Sequence, residues 1–474
     1  MIIMNVKQYI GLWVCIIIVF MGSGCRKFLE TKSENNVSVS ELFTDYEGAR
    51  TAIIGCYNKV KSSSYYVRDF YVYPELTGGN IKYAITKFPS LTFTYNFINT
   101  SLPSENNMNS FYSQAYSIIY STNSVLQNID KVTNGRVEQI NRIKADAYTI
   151  RAMAHFDLVR VFAQNYSYTP NASHQGIVIK TKNSDSVMAI IVYSSVDQVY
   201  NQVLNDLDSA LSLYSKSIFI YPSGDAKTWL SADAAKALKA RVCLYKGDYN
   251  QAFTLSSALI NGGKYSLIPN YSYVASWRGK NISSESIFEL AFGKSSGGGY
   301  GDYFNFTVPQ SLYSQFAATT DLTGMYDEAD VRGHNSLFQD TILNGTTYSF
   351  SKKYFGTSDS VNNIKVIRLS ELYLIAAEAA VQADPVNGLA TAATFLNTIR
   401  TRANPSAPSF TATTQQAMID EIFNERRREL CFEGHLFFDI ARLHKNLIRK
   451  DCNSTTANLS YPDSRFACTI PFFH

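Results

Sequence analysis

The sequence predicts a mainly α-helical protein with large irregular loops and a few short strands. Two observations support this fold class. Apolar residues recur every three or four positions over long segments, and stretches rich in Tyr, Thr and Ser at about 63–105 and 262–360 separate those segments. With 46% apolar and 17% charged residues, the chain can bury a large core, which excludes an intrinsically disordered protein.

The N-terminus has the features of a bacterial lipoprotein signal peptide. Lys7 supplies a positive charge, and residues 10–21 form an apolar run that is shorter than the roughly 20 residues of a membrane-spanning helix. A Gly-Ser-Gly tripeptide then leads into Cys25, whose thiol would carry lipid after cleavage. We therefore expect a signal peptide at 1–24 and a lipid-anchored envelope protein. An ordinary cleaved signal with an incidental cysteine is the alternative.

The helices are predicted from the spacing of their apolar residues. This spacing predicts helices over residues 143–161, 196–213, 234–245 and 369–380. Gly247 ends the third of them, and a new helix starts at Asp248 with the small residue Ala252 at the contact. Such pairs predict a tetratricopeptide-like α–α superhelix, although long insertions interrupt any regular repeat. Residues 286–292 are predicted to form a short strand.

Charge and composition exclude several classes of ligand. The formal net charge is +4 without a lysine-rich block, so we expect no nucleic acid partner. The six histidines show no metal-ligand spacing, and His155 is predicted to pack inside a helix. The cysteines after Cys25 form no C-x-x-C pair. We therefore expect no metal site, no cofactor and no disulfide framework. A single bridge between Cys452 and Cys468 stays open, as does Ca²⁺ binding.

Catalytic motifs are weak. Residues 293–297 match the string G-x-S-x-G, but further glycines follow where a nucleophile elbow needs a helix, so a flexible loop is predicted. Carboxylates between 425 and 442 could act as an acid–base pair on a glycosidic bond. Their spacing of three and four residues instead predicts ion pairs on a helix that begins with a capping box of Thr413 and Gln416. We expect no catalytic residue and no enzymatic activity.

Aromatic residues suggest a binding function. Ten Tyr or Phe residues fall within 65–97, and a second group lies near residue 300. Because the sequence Thr-Gly-Gly-Asn at 77–80 should break a helix, the first group is predicted on loops and short strands. Sugar rings stack on aromatic faces, and their hydroxyls need amide and guanidinium partners. The predicted ligand-binding residues are Asn80, Tyr83, Tyr95, Phe97, Trp277, Arg278, Tyr300 and Tyr303.

An alternative role for these rings is to pack the loops onto the helical core. A scaffold that binds only other proteins would bury the aromatics of 65–97, whereas a sugar site would leave several of them half exposed.

Several blocks of the sequence resemble the SusD/RagB family. They are CRKFLE at 25–30 followed by AIIGCY at 52–57, RAMAHFDLVR at 151–160, IRLSELYLIAAE at 367–378, LNTIR at 396–400, and 425–442, which begins ERRREL. The blocks occur in family order. Two departures are residues 163–166, where the family often has Gly-Asp-Val-Pro, and the C-terminal tail, which is missing after a Pro-Ile-Pro-like strand because the sequence stops at His474.

The resemblance implies a fold, a location and a partner. It implies one domain over 25–474, with an N-terminal half at 25–230 and a C-terminal half at 231–474, in which helical pairs support a loop-rich ligand face. It further implies a lipoprotein on the cell-surface side of the outer membrane. Such a protein binds oligosaccharide and delivers it to a SusC-like TonB-dependent transporter for nutrient uptake. A RagB-like peptide-binding import lipoprotein and a protein-binding helical scaffold are the alternatives.

Overall fold

The fold is mainly helical, as the sequence predicts. The computed structural model describes residues 39–84, 91–98, 100–102, 108–183, 192–222, 224–277, 282–292, 315–333, 336–354 and 362–472. The helices are α1 (Val39–Leu42), α2 (Tyr46–Val60), α3 (Asp69–Gly78), α4 (Thr92–Tyr95), α5 (Asn109–Asn128), α6 (Val137–Phe162), α7 (Val196–Tyr214), α8 (Ala232–Lys246), α9 (Tyr249–Asn261), α10 (Thr320–Thr323), α11 (Leu369–Ala383), α12 (Gly388–Ala403), α13 (Gln415–Leu430) and α14 (Leu436–Arg442).

Short strands complete the fold. They are β1 (Ile81–Tyr83), β2 (Ser286–Leu290), β3 (Phe316–Ala318), β4 (Phe338–Leu343), β5 (Thr346–Ser351), β6 (Ile364–Arg368), β7 (Leu447–Ile448) and β8 (Asn458–Leu459). Antiparallel pairing joins four of them in the order β1-β3-β5-β4, and joins β2 to β6 and β7 to β8. The strand predicted at 286–292 is therefore present as β2. None of the described helices has the length and apolar character that crossing a bilayer requires.

Neighbouring helices pack side by side along the chain. Helix α6 packs between α5 and α7, α8 packs on α7 and α9, and α11 contacts α9, α12 and α13. Their starts follow capping chemistry. Ser195 accepts a hydrogen bond from the backbone of Gln198, whose side chain accepts one back from Ser195, and together they form the capping box of α7. These contacts produce the series of helical pairs predicted from the apolar spacing.

The turn between α8 and α9 forms as predicted. Gly247 takes φ +82°, a left-handed conformation that glycine adopts without strain, and it ends α8. Asp248 then accepts a hydrogen bond from the backbone of Gln251 and caps α9. Ala252 is fully buried, so the two helices approach closely.

Helix α3 corrects the prediction that the aromatics of 65–97 lie on loops and strands. Phe70, Tyr71 and Tyr73 all lie on this helix, which includes Pro74 and ends at Gly79 with φ +92°. The glycines do break the helix, but only after these rings. Every residue of α3 is buried, so tertiary packing compensates for the hydrogen bond that Pro74 cannot donate.

Three smaller predictions can be compared directly with the structure. Thr414, rather than Thr413, caps α13 by accepting a hydrogen bond from the backbone of Ala417 at 3.2 Å. The predicted capping box of Thr413 and Gln416 is therefore wrong, because it places the start of the helix one residue too early. Cys452 and Cys468 are free thiols, so the bridge left open by the sequence does not form. His155 is fully buried inside α6, as predicted.

Candidate functional site

Three predicted ligand-binding rings are buried in the structure. Tyr83, Tyr95 and Phe97 are 6%, 1% and 7% exposed. The Tyr83 ring meets the Tyr95 ring edge-on at 4.8 Å and lies 5.3 Å from Phe316, while Phe97 lies 5.8 Å from Phe437. These distances are typical of aromatic packing in a core. The burial matches the alternative in which these rings pack the loops onto the helices.

Asn80 is also committed to internal contacts. Its side-chain amide donates to the Glu75 carboxylate at 2.7 Å, and its oxygen accepts from Arg427 Nε at 2.8 Å. Glu75 in turn accepts from the backbone N–H groups of Gly434 and His435. Asn80 therefore connects the end of α3 to the end of α13, and its amide has little capacity left for a ligand.

Trp277 lies in a cationic environment inside the protein. Its side chain is 1% exposed, and the Lys353 and Lys365 ammonium groups lie 4.5 and 4.8 Å from the ring centre. The face that a sugar would need is covered by these two lysines. Cation–π contacts of this kind stabilise the packing of the ring.

The remaining predicted residues are not among those that the structure describes. Cys25, Arg278, Tyr300 and Tyr303 lie outside the described residues. Their assigned roles stay predictions. Of the predicted residues that are described, the structure brings Tyr83 and Tyr95 together and shows no open stacking face on them.

The charged residues of 425–442 form a buried ion-pair network. Glu429 accepts from Arg402 at 2.5 Å, from Arg368 at 2.6 Å and from Arg332 at 2.8 Å. All four side chains are at most 6% exposed, and they come from α13, α12, the end of β6 and the loop before β4. We call this the Glu429 network.

Further carboxylates extend the Glu429 network. Glu425 pairs with Arg332 at 2.7 Å, and Glu285 pairs with Arg368 at 2.7 Å. Glu433 binds Arg368 at 2.7 Å and Lys353 at 2.8 Å. A buried charge is tolerated only when it is paired and hydrogen-bonded, and these contacts meet that condition.

The electrostatics of Glu429 favour a structural role. Burial by itself would raise the pKa of this carboxyl, but Arg402, Arg368 and Arg332 outweigh it and hold the pKa well below its usual range. A general acid needs the opposite shift, because it must keep its proton near neutral pH. The arrangement therefore supports the interpretation of these residues as ion pairs between structural elements.

A different surface has the features of a binding site. Two tyrosines of α5 form one wall of a cleft of about 350 Å³, within the range of about 300–1,000 Å³ typical of ligand pockets. We call it the aromatic cleft; its described lining includes Tyr112, Tyr116, Val178, Lys180, Tyr193 and Phe472. Tyr193 is 40% and Phe472 is 66% exposed, so both rings offer accessible apolar surface.

Local structure holds the aromatic cleft in place. Tyr112 and Tyr116 are four residues apart on α5, and their rings lie 4.7 Å from each other. The Tyr116 hydroxyl donates to the Val178 carbonyl at 2.9 Å, which fixes the segment after α6 against α5. The Phe472 backbone N–H donates to the Ser101 carbonyl at 3.0 Å.

Sequence reasoning missed the aromatic cleft. The only local signal was the spacing of four between Tyr112 and Tyr116, which is equally typical of an ordinary buried helix face. The other walls come from residues near 180, 193 and 472, and nothing in the sequence places them together.

Comparison with known proteins decides the family. Residues 27–244 match the family model described as "Starch-binding associating with outer membrane", and residues 349–467 match the model described as "SusD family". The chain belongs to the SusD/RagB family.

A SusD-like protein of Bacteroides ovatus is 22% identical over 486 residues, which cover 90% of this chain and 81% of the relative. A SusD-like protein of Formosa agariphila is 21% identical over 496 residues, which cover 90% and 89%.

Solved structures of SusD proteins share the fold. A SusD superfamily protein from Bacteroides thetaiotaomicron superposes with a TM-score of 0.79 at 26% identity, covering 90% of this chain and 96% of that one. A structure described as a putative sugar binding protein, from Bacteroides vulgatus, has a TM-score of 0.76 at 27% identity, with 90% and 95% covered. The tetratricopeptide-like helical fold predicted from the sequence is thus that of the SusD superfamily.

The first prediction concerns the buried rings. Replacing both Tyr83 and Tyr95 by Ala should lower the melting temperature strongly, because truncating a buried aromatic ring costs about 3–5 kcal/mol. Thermal unfolding measures the effect. Tyr271→Ala is the matched control. Because Tyr271 is 90% exposed, this variant should have the melting temperature of the parent protein. If the double variant keeps the melting temperature of the parent but no longer binds ligand, the packing role is wrong and these rings contact the ligand.

The second prediction concerns the Glu429 network. Glu429→Ala removes one carboxylate partner from each of three buried arginines and leaves excess positive charge in the core. The free energy of unfolding should therefore fall by about 3–5 kcal/mol. Ligand affinity of the folded fraction should not change, because the carboxylate is buried away from the surface. Denaturant unfolding and calorimetry measure the two quantities. Exposed Glu328 offers a control, and Glu328→Ala should change stability by less than about 0.5 kcal/mol. Normal unfolding with abolished binding would contradict the structural role.

Proposed function

We propose that this protein is a lipid-anchored, glycan-binding protein of the outer membrane that captures oligosaccharide outside the cell. In this proposal it delivers the oligosaccharide to a SusC-like TonB-dependent transporter and catalyses no reaction itself. The match of residues 27–244 to a family described as starch-binding and associated with the outer membrane carries the proposal.

The aromatic cleft supports a role in sugar binding. A pyranose ring has apolar C–H faces, and the exposed surfaces of Tyr193 and Phe472 offer the flat apolar contact that such a face needs. Tyrosine hydroxyls and the Lys180 ammonium give polar partners at the same cleft. A few polar groups on an apolar lining are the usual composition of a small-molecule site.

Membrane attachment in this proposal depends on Cys25. Each buried CH₂ of an acyl chain contributes about 0.8 kcal/mol, so two or more chains on one cysteine hold a protein on a bilayer stably. The apolar run before Cys25 and the small residues next to it support processing as a lipoprotein.

The anchor is tested by Cys25→Ala. The variant should leave the membrane fraction and appear in the soluble fraction, since it lacks the acylated thiol. Cell fractionation with immunoblotting measures this distribution in a host without the transporter. Cys452→Ala, which removes a free thiol elsewhere in the chain, should stay with the membrane. Retention of the Cys25→Ala protein on membranes would contradict the lipid anchor.

Glycan binding is tested at the exposed rings of the aromatic cleft. Tyr193→Ala combined with Phe472→Ala should weaken binding of an array-selected oligosaccharide roughly thirtyfold, at on the order of 1 kcal/mol per stacked ring. Isothermal calorimetry measures the affinity, and the melting temperature should stay near that of the parent because both rings are largely exposed. Tyr271→Ala again serves as the control. If the parent and the double variant bind with equal affinity, the glycan does not bind at the aromatic cleft. If the parent binds no glycan at all, the proposed function is wrong.

A further inference from the structure

The aromatic cleft carries a positive charge that has no acidic partner among the described residues. Lys180 lines the cleft and Lys182 is exposed two residues later, and within the described part of the chain no carboxylate pairs with either lysine. Several other described lysines do have acidic partners. Examples are Lys82–Asp451, Lys144–Asp130, Lys239–Asp208, Lys264–Asp233 and Lys445–Asp420. The Lys180 ammonium is thus available to an external anion.

The rest of the described lining does not neutralise this charge. Tyr112, Tyr116, Tyr193 and the apolar side chains of the cleft are uncharged at neutral pH. Burial raises the pKa of the Tyr112 and Tyr116 hydroxyls, so both stay protonated and act as neutral hydrogen-bonding groups. The described part of the aromatic cleft therefore combines apolar rings with one positive charge and no negative charge.

Buried groups fix the backbone that carries Lys180. The His155 Nε2 atom accepts from the Lys180 backbone N–H at 3.3 Å, and Asn123 donates to the Lys180 carbonyl at 3.1 Å. Desolvation and the Arg151 charge lower the pKa of His155 to about 3, which keeps the ring neutral. Its Nδ1–H donates to the Arg151 carbonyl at 3.1 Å, so Nε2 is the nitrogen that accepts. Arg151 also donates to the Thr181 carbonyl at 3.0 Å. These contacts fix the backbone at residue 180 before a ligand binds, so less backbone entropy is lost on binding.

From this combination we propose that the aromatic cleft selects acidic saccharides, with the Lys180 ammonium binding a uronate carboxylate or a sulfate ester. The inference rests on the proposed glycan-binding function and names the class of sugar. The sugar ring lies against Tyr193 and Phe472, and its anionic group pairs with Lys180. Such a pair is a charge-assisted hydrogen bond, which is stronger than a bond between neutral groups.

A membrane surface is the less suitable occupant. Recognition of anionic lipid headgroups typically uses clusters of about four to eight basic residues. Lys180 is the one basic residue in the described lining of the cleft, and the exposed rings suit the apolar face of a sugar.

The test uses matched acidic and neutral saccharides. The probes are oligomers of galacturonic, glucuronic and mannuronic acid, sulfated galactan oligomers, and the carboxyl-reduced or desulfated form of each. Calorimetry on the full mature protein should show at least one acidic probe binding about tenfold more tightly than its neutral form. That advantage should shrink as salt rises from about 50 to 500 mM, because salt screens an exposed charge.

Lys180→Gln should remove the tenfold advantage of the acidic probe, so that the acidic and the neutral form of the probe bind the variant with equal affinity. The backbone contacts of residue 180 do not involve its side chain, so the melting temperature should not change. Lys216→Gln, which removes an exposed lysine from the loop after α7, is the matched control.

The outcomes separate the inference from the proposed function. Equal binding of acidic and neutral probes, or an acidic preference that survives Lys180→Gln, overturns the inference and leaves the glycan-binding function standing. Failure to bind any probe or any neutral glycan contradicts the proposed function itself. Binding to phosphatidylglycerol vesicles without binding to saccharides would assign the lysines to the membrane and overturn the inference as well.

Discussion

The buried carboxylate of Glu429 is the constraint on which the rest of the structure depends. Three arginines from separate parts of the chain, Arg332, Arg368 and Arg402, converge on it. These side chains are at most 6% exposed, so their charges are tolerated because they are paired with one another. The Glu429 network therefore fixes how β6, α12 and α13 meet, and it makes this part of the fold intolerant of losing a single partner.

The residues that stabilise the fold are different from those that could bind a ligand. The residues with the most conspicuous chemistry, the acidic and basic side chains of 425–433, act as internal ion pairs. Most of the described aromatic rings of 65–97 are likewise internal, and Asn80 connects this segment to Arg427. Among the described residues, the aromatic cleft combines exposed rings with a lysine that has no acidic partner in that part of the chain.

The sequence predicted the helices better than the site, for physical reasons. Apolar periodicity and Gly247 are local signals, so α6 to α9 and α11 follow from them closely. The roles of Tyr83 and Tyr95 could not be predicted, because tyrosine packs in cores and binds at surfaces with the same ring. The aromatic cleft brings together positions 112–116, 178–193 and 472, and only tertiary structure determines which distant segments meet.

A crystal structure of the protein with a bound acidic oligosaccharide tests the account most directly. The account predicts a sugar ring against Tyr193 and Phe472, with its carboxylate or sulfate oxygen about 3 Å from Lys180 Nζ and with the Glu429 network unchanged. A sugar bound away from the aromatic cleft, or one that displaces an arginine from Glu429, would contradict it.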